Sequence, residues 1–190
     1  MGILLGFAPF IVFALLTGIS VDLALWAALA TAFVIGIRDF AQTQLLRVLD
    51  MGSVALFGLL ALYTGFLQPS LSIQAVRLVI DGGLMTIALV SILIGNPFTL
   101  DYAREQVPPE FWATPLFLRT NYIVAGVWVL AFGTMTAADA AATFNANFPL
   151  ALDIATSFAA LTLAVVFTAR YPARVRERAT RSAQSPLAPR

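Results

Sequence analysis

Residues 73–95 read IQAVRLVIDGGLMTIALVSILIG, 23 consecutive positions of which only Arg77 and Asp81 are charged. As a helix at 1.5 Å per residue the run is about 34 Å long, and the hydrocarbon core of a bilayer is about 30 Å thick. It reads as a membrane-spanning helix that carries charge inside it. Such a charge costs at least about 2.5 kcal/mol at the helix centre, so it faces a partner or water. One stretch therefore indicates both the fold class and the first place to look for function.

The rest of the 190-residue chain has the same character, with 60 % apolar residues, 11 % charged residues and a mean hydropathy of +0.89. Soluble domains carry nearer 25 % charge, roughly twice what is available here to cover a water-facing surface. The predicted fold is all-α: a polytopic membrane protein whose bundle of six transmembrane helices occupies residues 1–170. Charge-free runs place the helices at about 2–19, 21–38, 50–68, 73–95, 120–138 and 148–169. Asp22 and Arg38 bound the second, and Gln68-Pro69-Ser70 should end the third. The N-terminal run has no small-residue cleavage site and no early basic residue, so it reads as a helix rather than a secretory signal.

Ten of the eleven basic residues, all Arg, fall in the linkers holding Arg38, Arg47, Arg104 and Arg119 or in the tail from Arg170 to Arg190. The alternate linkers, near Asp22, near Gln68 and around Asp139 to Asn147, hold none. The positive-inside rule then puts both termini in the cytoplasm. Residues 171–190 are rich in Arg, Ser, Pro and Ala, with too few apolar groups to fold, and read as a disordered basic tail.

The composition also excludes chemistry. Cysteine and histidine are absent, which removes disulfides, thiol nucleophiles, imidazole bases and nearly all zinc sites. Without Lys there is no Schiff base to retinal or pyridoxal phosphate. No cofactor, metal site or nucleic-acid partner is expected, and an enzyme is not expected either.

Three intramembrane charges remain. Arg77 and Asp81 on the fourth helix and Asp153 on the sixth share the outer half of the bilayer on this topology. The spacing suggests that Asp81 and Asp153 bridge Arg77, as structural glue between two helices or as a binding site or relay for a proton, an ion or an anionic headgroup. Small-residue ridges at Ala24, Ala28 and Ala32 and at Ala160 and Ala164 mark close helix packing, within the bundle or between copies in a homo-oligomer. In the linker 96–118, NPFTLDYAREQVPPEFWATPLFL, the aromatic residues Phe98, Tyr102 and Trp112 interleave with charge. This is the pattern of an amphipathic cytoplasmic segment lying among lipid headgroups.

The opening GFAPFIVFALL with Pro9, the linker NPFTLDYAREQVPPEFW and the following LRTNYIVAGVWVLAF with Asn121 and Trp128 resemble the bacterial intracellular septation protein A family. The resemblance implies a non-enzymatic inner-membrane protein of cell-envelope maintenance, working through lipids and through envelope or division proteins. It supplies no catalytic residues, and Arg77, Asp81 and Asp153 match no motif of that family. The alternative from the residues themselves is a small transporter, channel or lipid-binding protein built on the outer-half charges.

Overall fold

The computed structural model describes residues 5–67, 71–145 and 147–184. Among these residues the chain is all helical: α1 (Ala8–Leu16), α2 (Val21–Thr43), α3 (Val48–Leu67), α4 (Ile73–Leu93), α5 (Thr99–Arg104), a 3-10 turn at Pro109–Phe111, α6 (Pro115–Phe144) and α7 (Leu150–Gln184). Five of them, α2, α3, α4, α6 and α7, are long and apolar enough to cross a membrane. Of the first run, Leu5 and Gly6 are helical and a turn at Phe7 separates them from α1. α1 has nine residues, about 13 Å of helix, less than half a bilayer core.

The bundle is turned inside out relative to a soluble protein. Leu15, Ile19, Phe66, Leu93, Leu130 and Phe158 project outward, each at least 70 % exposed, while Asp139 and Asp153 are fully buried. That arrangement suits a hydrocarbon solvent and would leave a large apolar surface in water. α6 packs against α4 and α7, and α2 packs against α1 and α3, with α3 closing onto α4. α4 belongs to both halves: Val76 and Ile80 join a core with Phe13, Leu25 and Phe57, and Leu84 and Ala88 join one with Phe7, Trp128 and Phe132. Gly83 lets α3 approach closely, since a Cβ there would lie 2.5 Å from the Leu56 side chain.

Several boundaries differ from the expected ones. α2 runs on through Thr43 and carries Asp39 into the bundle. α6 begins at Pro115, where Thr114 caps the helix by accepting the Phe117 N–H at 3.4 Å. It continues to Phe144 because TAADAAA is built from the strongest helix former, and that takes Asp139 out of its expected loop. α7 also continues, with Pro172 inside it, so residues 171–184 are helical and not the disordered tail expected. The expected stop at Gln68-Pro69-Ser70, the start at residues 2–4 and the tail from 185 onward lie outside the described residues.

The connection between α4 and α6 is set by backbone geometry. Gly95 sits at φ +80°, where the Asn96 N–H reaches back to Ser91 O at 3.0 Å and the Gly95 N–H to Ile92 O at 3.1 Å. This doubly bonded stop needs a residue without a Cβ. The chain then folds back into the bundle. Ser91 Oγ accepts the Phe98 N–H at 3.1 Å, and Thr99 Oγ1 donates to Asn121 O at 3.0 Å. Phe98 and Tyr102 are therefore buried, at 1 % and 2 % exposure, and do not lie among headgroups as expected. Trp112 is half-buried, its Nε1 donating to Val107 O at 2.8 Å.

Candidate functional site

Two arginine-centred clusters stand at opposite ends of the bundle. The first lies where α4 and α7 begin and α6 ends. Ser72 starts α4 by accepting the Ala75 N–H at 3.1 Å, which puts Arg77 in the second turn. Its guanidinium reaches Asp153 Oδ2 on α7 at 2.9 Å, Asp139 Oδ1 on α6 at 3.2 Å and Ser157 Oγ at 3.4 Å. Asp139 and Asp153 are both fully buried, and Asp81 is 8 % exposed.

Arg77 and Asp153 thus meet as the sequence suggests, but the second acid on the guanidinium is Asp139 and not Asp81. Asp81 instead faces the Asp139 carboxyl, close enough to interact with it, with Arg77 and with Asp153. Asp139 is missed from sequence because it falls in the stretch Asp139 to Asn147 that reads as the turn after the fifth helix. The available signal was its alanine content, which favours helix.

The arrangement is unbalanced. Three carboxylates cluster around one guanidinium, a formal charge of −2, with Asp139 and Asp153 fully buried and the Arg77 side chain 21 % exposed. Asp139 Oδ2 and Asp153 Oδ1 have no hydrogen-bond donor. A buried 1:1 pair can balance its own desolvation, whereas surplus buried charge requires a neutralising ligand. Among the described residues no trio of acids is arranged to hold a metal ion.

The second cluster is one that sequence reading passed over. Arg47, from the α2–α3 connection, lies 2.7 Å from Asp39 Oδ2, pairs with Glu105 and stacks 4.9 Å above the Tyr102 ring. Asp50 is buried nearby, and Arg104 pairs with Asp101 at 3.6 Å and lies over Trp112 at 5.7 Å. Burial pushes the Asp101 carboxyl and the Tyr102 hydroxyl above their ordinary ranges; for Asp101 a hydrogen bond from the Val48 N–H opposes the rise. Arg47 meets Asp39 and Glu105, 8 and 58 positions away in the chain, so no local pattern announces its pairing.

Between the clusters the bundle is filled with rings. Phe7 stacks on Trp128 at 4.7 Å, Trp128 lies 5.4 Å from Phe132, and Phe10 lies 4.9 Å from Phe57. The Trp128 Nε1 is satisfied by Thr168 Oγ1 at 3.0 Å. Of the expected packing ridges, Ala24, Ala28, Ala32 and Ala164 are buried inside the bundle, and Ala160 is half-buried beside Ala164. Compared with known protein families, curated proteins and solved structures, the chain matches none.

Proposed function

We propose that the protein is a small non-enzymatic membrane transporter whose coupling site is the Arg77, Asp81, Asp139 and Asp153 cluster, and that the coupling ligand is a proton. The observation that carries this reading is stoichiometric: three buried acids from three helices share one guanidinium. A proton is the smallest species that removes the surplus charge, and its uptake or release would change how tightly α4, α6 and α7 are drawn together. Rings of Phe7, Trp128 and Phe132 pack between the two ends, so on this reading throughput comes from helix movement rather than an open pore. Five full spans plus α1 as a sixth membrane helix, with both termini in the bacterial cytoplasm, complete this reading.

Infrared spectroscopy of the protein in lipid bilayers tests it. The expected result is a carboxylic-acid C=O band at neutral pH that disappears at high pH and is lost or shifted in Asp139→Asn. A spectrum without any protonated carboxyl at neutral pH would overturn the proposal.

A second reading, the septation and envelope role implied by the sequence resemblance, is favoured by one observation. The three stretches that carry the resemblance converge, Phe7 packing on both Phe98 and Trp128 while Thr99 bonds to Asn121. On that reading the charges are glue, and a well-packed apolar replacement of all four retains activity. In-cell photocrosslinking from Trp112 and Ala160 would then capture division or wall-synthesis proteins.

A further inference from the structure

α7 has 35 residues, about 52 Å of helix, of which a bilayer core takes up about 30 Å. Its continuation past Arg170 stands at the membrane boundary, at the end of the bundle that holds α5 and the linker. Between that continuation, the linker and the start of α6 is a groove enclosing about 470 Å³, within the roughly 300–1,000 Å³ usual for small-molecule sites. Pro172, Val175, Arg176, Ala179 and Thr180 line it from α7. They recur at i, i+3, i+4, i+7 and i+8, a single helical face. Arg174 and Arg181 belong to the other faces.

The opposite wall is mainly apolar, with Val107 and Phe111 from the linker and Leu116 and Phe117 from α6, and Gln106, Thr120 and Asn121 add uncharged polar groups. Arg176 is the only charged residue among those lining the groove, and no carboxylate lines it. A largely apolar trough just past the hydrocarbon boundary, with one cation among its lining residues, complements an amphiphile whose anionic head and upper acyl chain lie at that level. The guanidinium fork matches phosphate oxygens in particular.

We propose that this groove binds one anionic phospholipid of the surrounding bilayer, its phosphate on Arg176 and an acyl chain against Val107, Phe111, Phe117 and Val175. The site is at the opposite end of the bundle from Arg77 and does not depend on the transport reading.

Native mass spectrometry of the full chain in mild detergent, titrated with phosphatidylglycerol or with phosphatidylcholine, tests the proposal. The wild type should retain one phosphatidylglycerol in preference to phosphatidylcholine. Arg176→Gln should weaken that binding about fivefold, the factor that ~1 kcal/mol per arginine at an anionic surface amounts to. Ala179→Trp, at an exposed helical position, keeps the charge but fills the groove and should abolish binding, while Arg174→Gln should leave it unchanged. Equal affinity for the two lipids, equal loss in Arg174→Gln and Arg176→Gln, or undiminished binding by Ala179→Trp would each overturn it.

Discussion

Arg77 is the residue on which the first cluster depends, because it is the only cation shown in contact with its acids. Arg77→Gln strands Asp139 and Asp153 as buried charges, and truncating one partner of a buried pair costs about 3–5 kcal/mol. Asp81→Asn removes surplus charge and should cost under about 1 kcal/mol on the same physics. Unfolding of the two variants by titration with denaturing detergent distinguishes these outcomes; equal losses would mean that Asp81 is as necessary to the network as Arg77. A pH effect belongs to Asp101. Burial raises its carboxyl above the ordinary 3.8, so the folded chain holds that proton more tightly than the unfolded chain. The stabilisation it brings is present below 3.8 and is lost as pH rises through the raised value. Asp101→Asn keeps an acceptor for the Val48 N–H and removes the titration, so its stability should decline less over that window in a pH series of thermal unfolding.

At the scale of the element, the stop of α4 and the return of the linker act together. Gly95→Ala forces a Cβ into the left-handed region occupied at φ +80°, at a cost of about 1–2 kcal/mol, and Gly95→Asn should be milder. Ser91→Ala leaves the buried Phe98 N–H without its acceptor, a loss of about 1–3 kcal/mol. Both are read as a lowered unfolding midpoint, with Trp112 fluorescence in a Trp26→Phe, Trp128→Phe background reporting whether the linker detaches first. The linker also shows why amphipathic spacing misled the prediction. Phe98, Tyr102 and Trp112 alternate with charges as they would on a headgroup surface, yet Arg47 and Arg104 supply cation–π and ionic partners inside the protein. Spacing identifies a face; it does not say whether lipid or another helix covers it.

At the scale of the molecule, the two clusters and the aromatic layer divide the bundle into two charged ends and a ring-packed middle. Alternation of the helices puts the α2–α3 and α4–α6 connections at one end and the α1–α2 connection at the other. The chain has no cysteine, so single cysteines report topology directly. With a membrane-impermeant maleimide on intact cells, Ile19→Cys should label and Leu45→Cys should not, and permeabilisation should make both react. Labelling of Leu45→Cys alone would invert the orientation inferred from the arginines.

Composition and run length were enough to establish a helical membrane protein, because burying a backbone in lipid leaves few structures that satisfy its polar groups. They also located Arg77 and Asp153, since charge within an apolar run is conspicuous one residue at a time. The identity of the partners was another matter. Asp139 lies 62 positions from Arg77, and Glu105 lies 58 from Arg47. Such pairs depend on which helices adjoin and how each is rotated, quantities set by packing at Gly83, Ala88 and Ala164 across the whole bundle. Likewise α7 stays helical past Arg170, where Pro172 and Val175 face the linker groove: its Ala, Arg and Glu content favours helix locally, but the contact with the linker is set only by the tertiary fold.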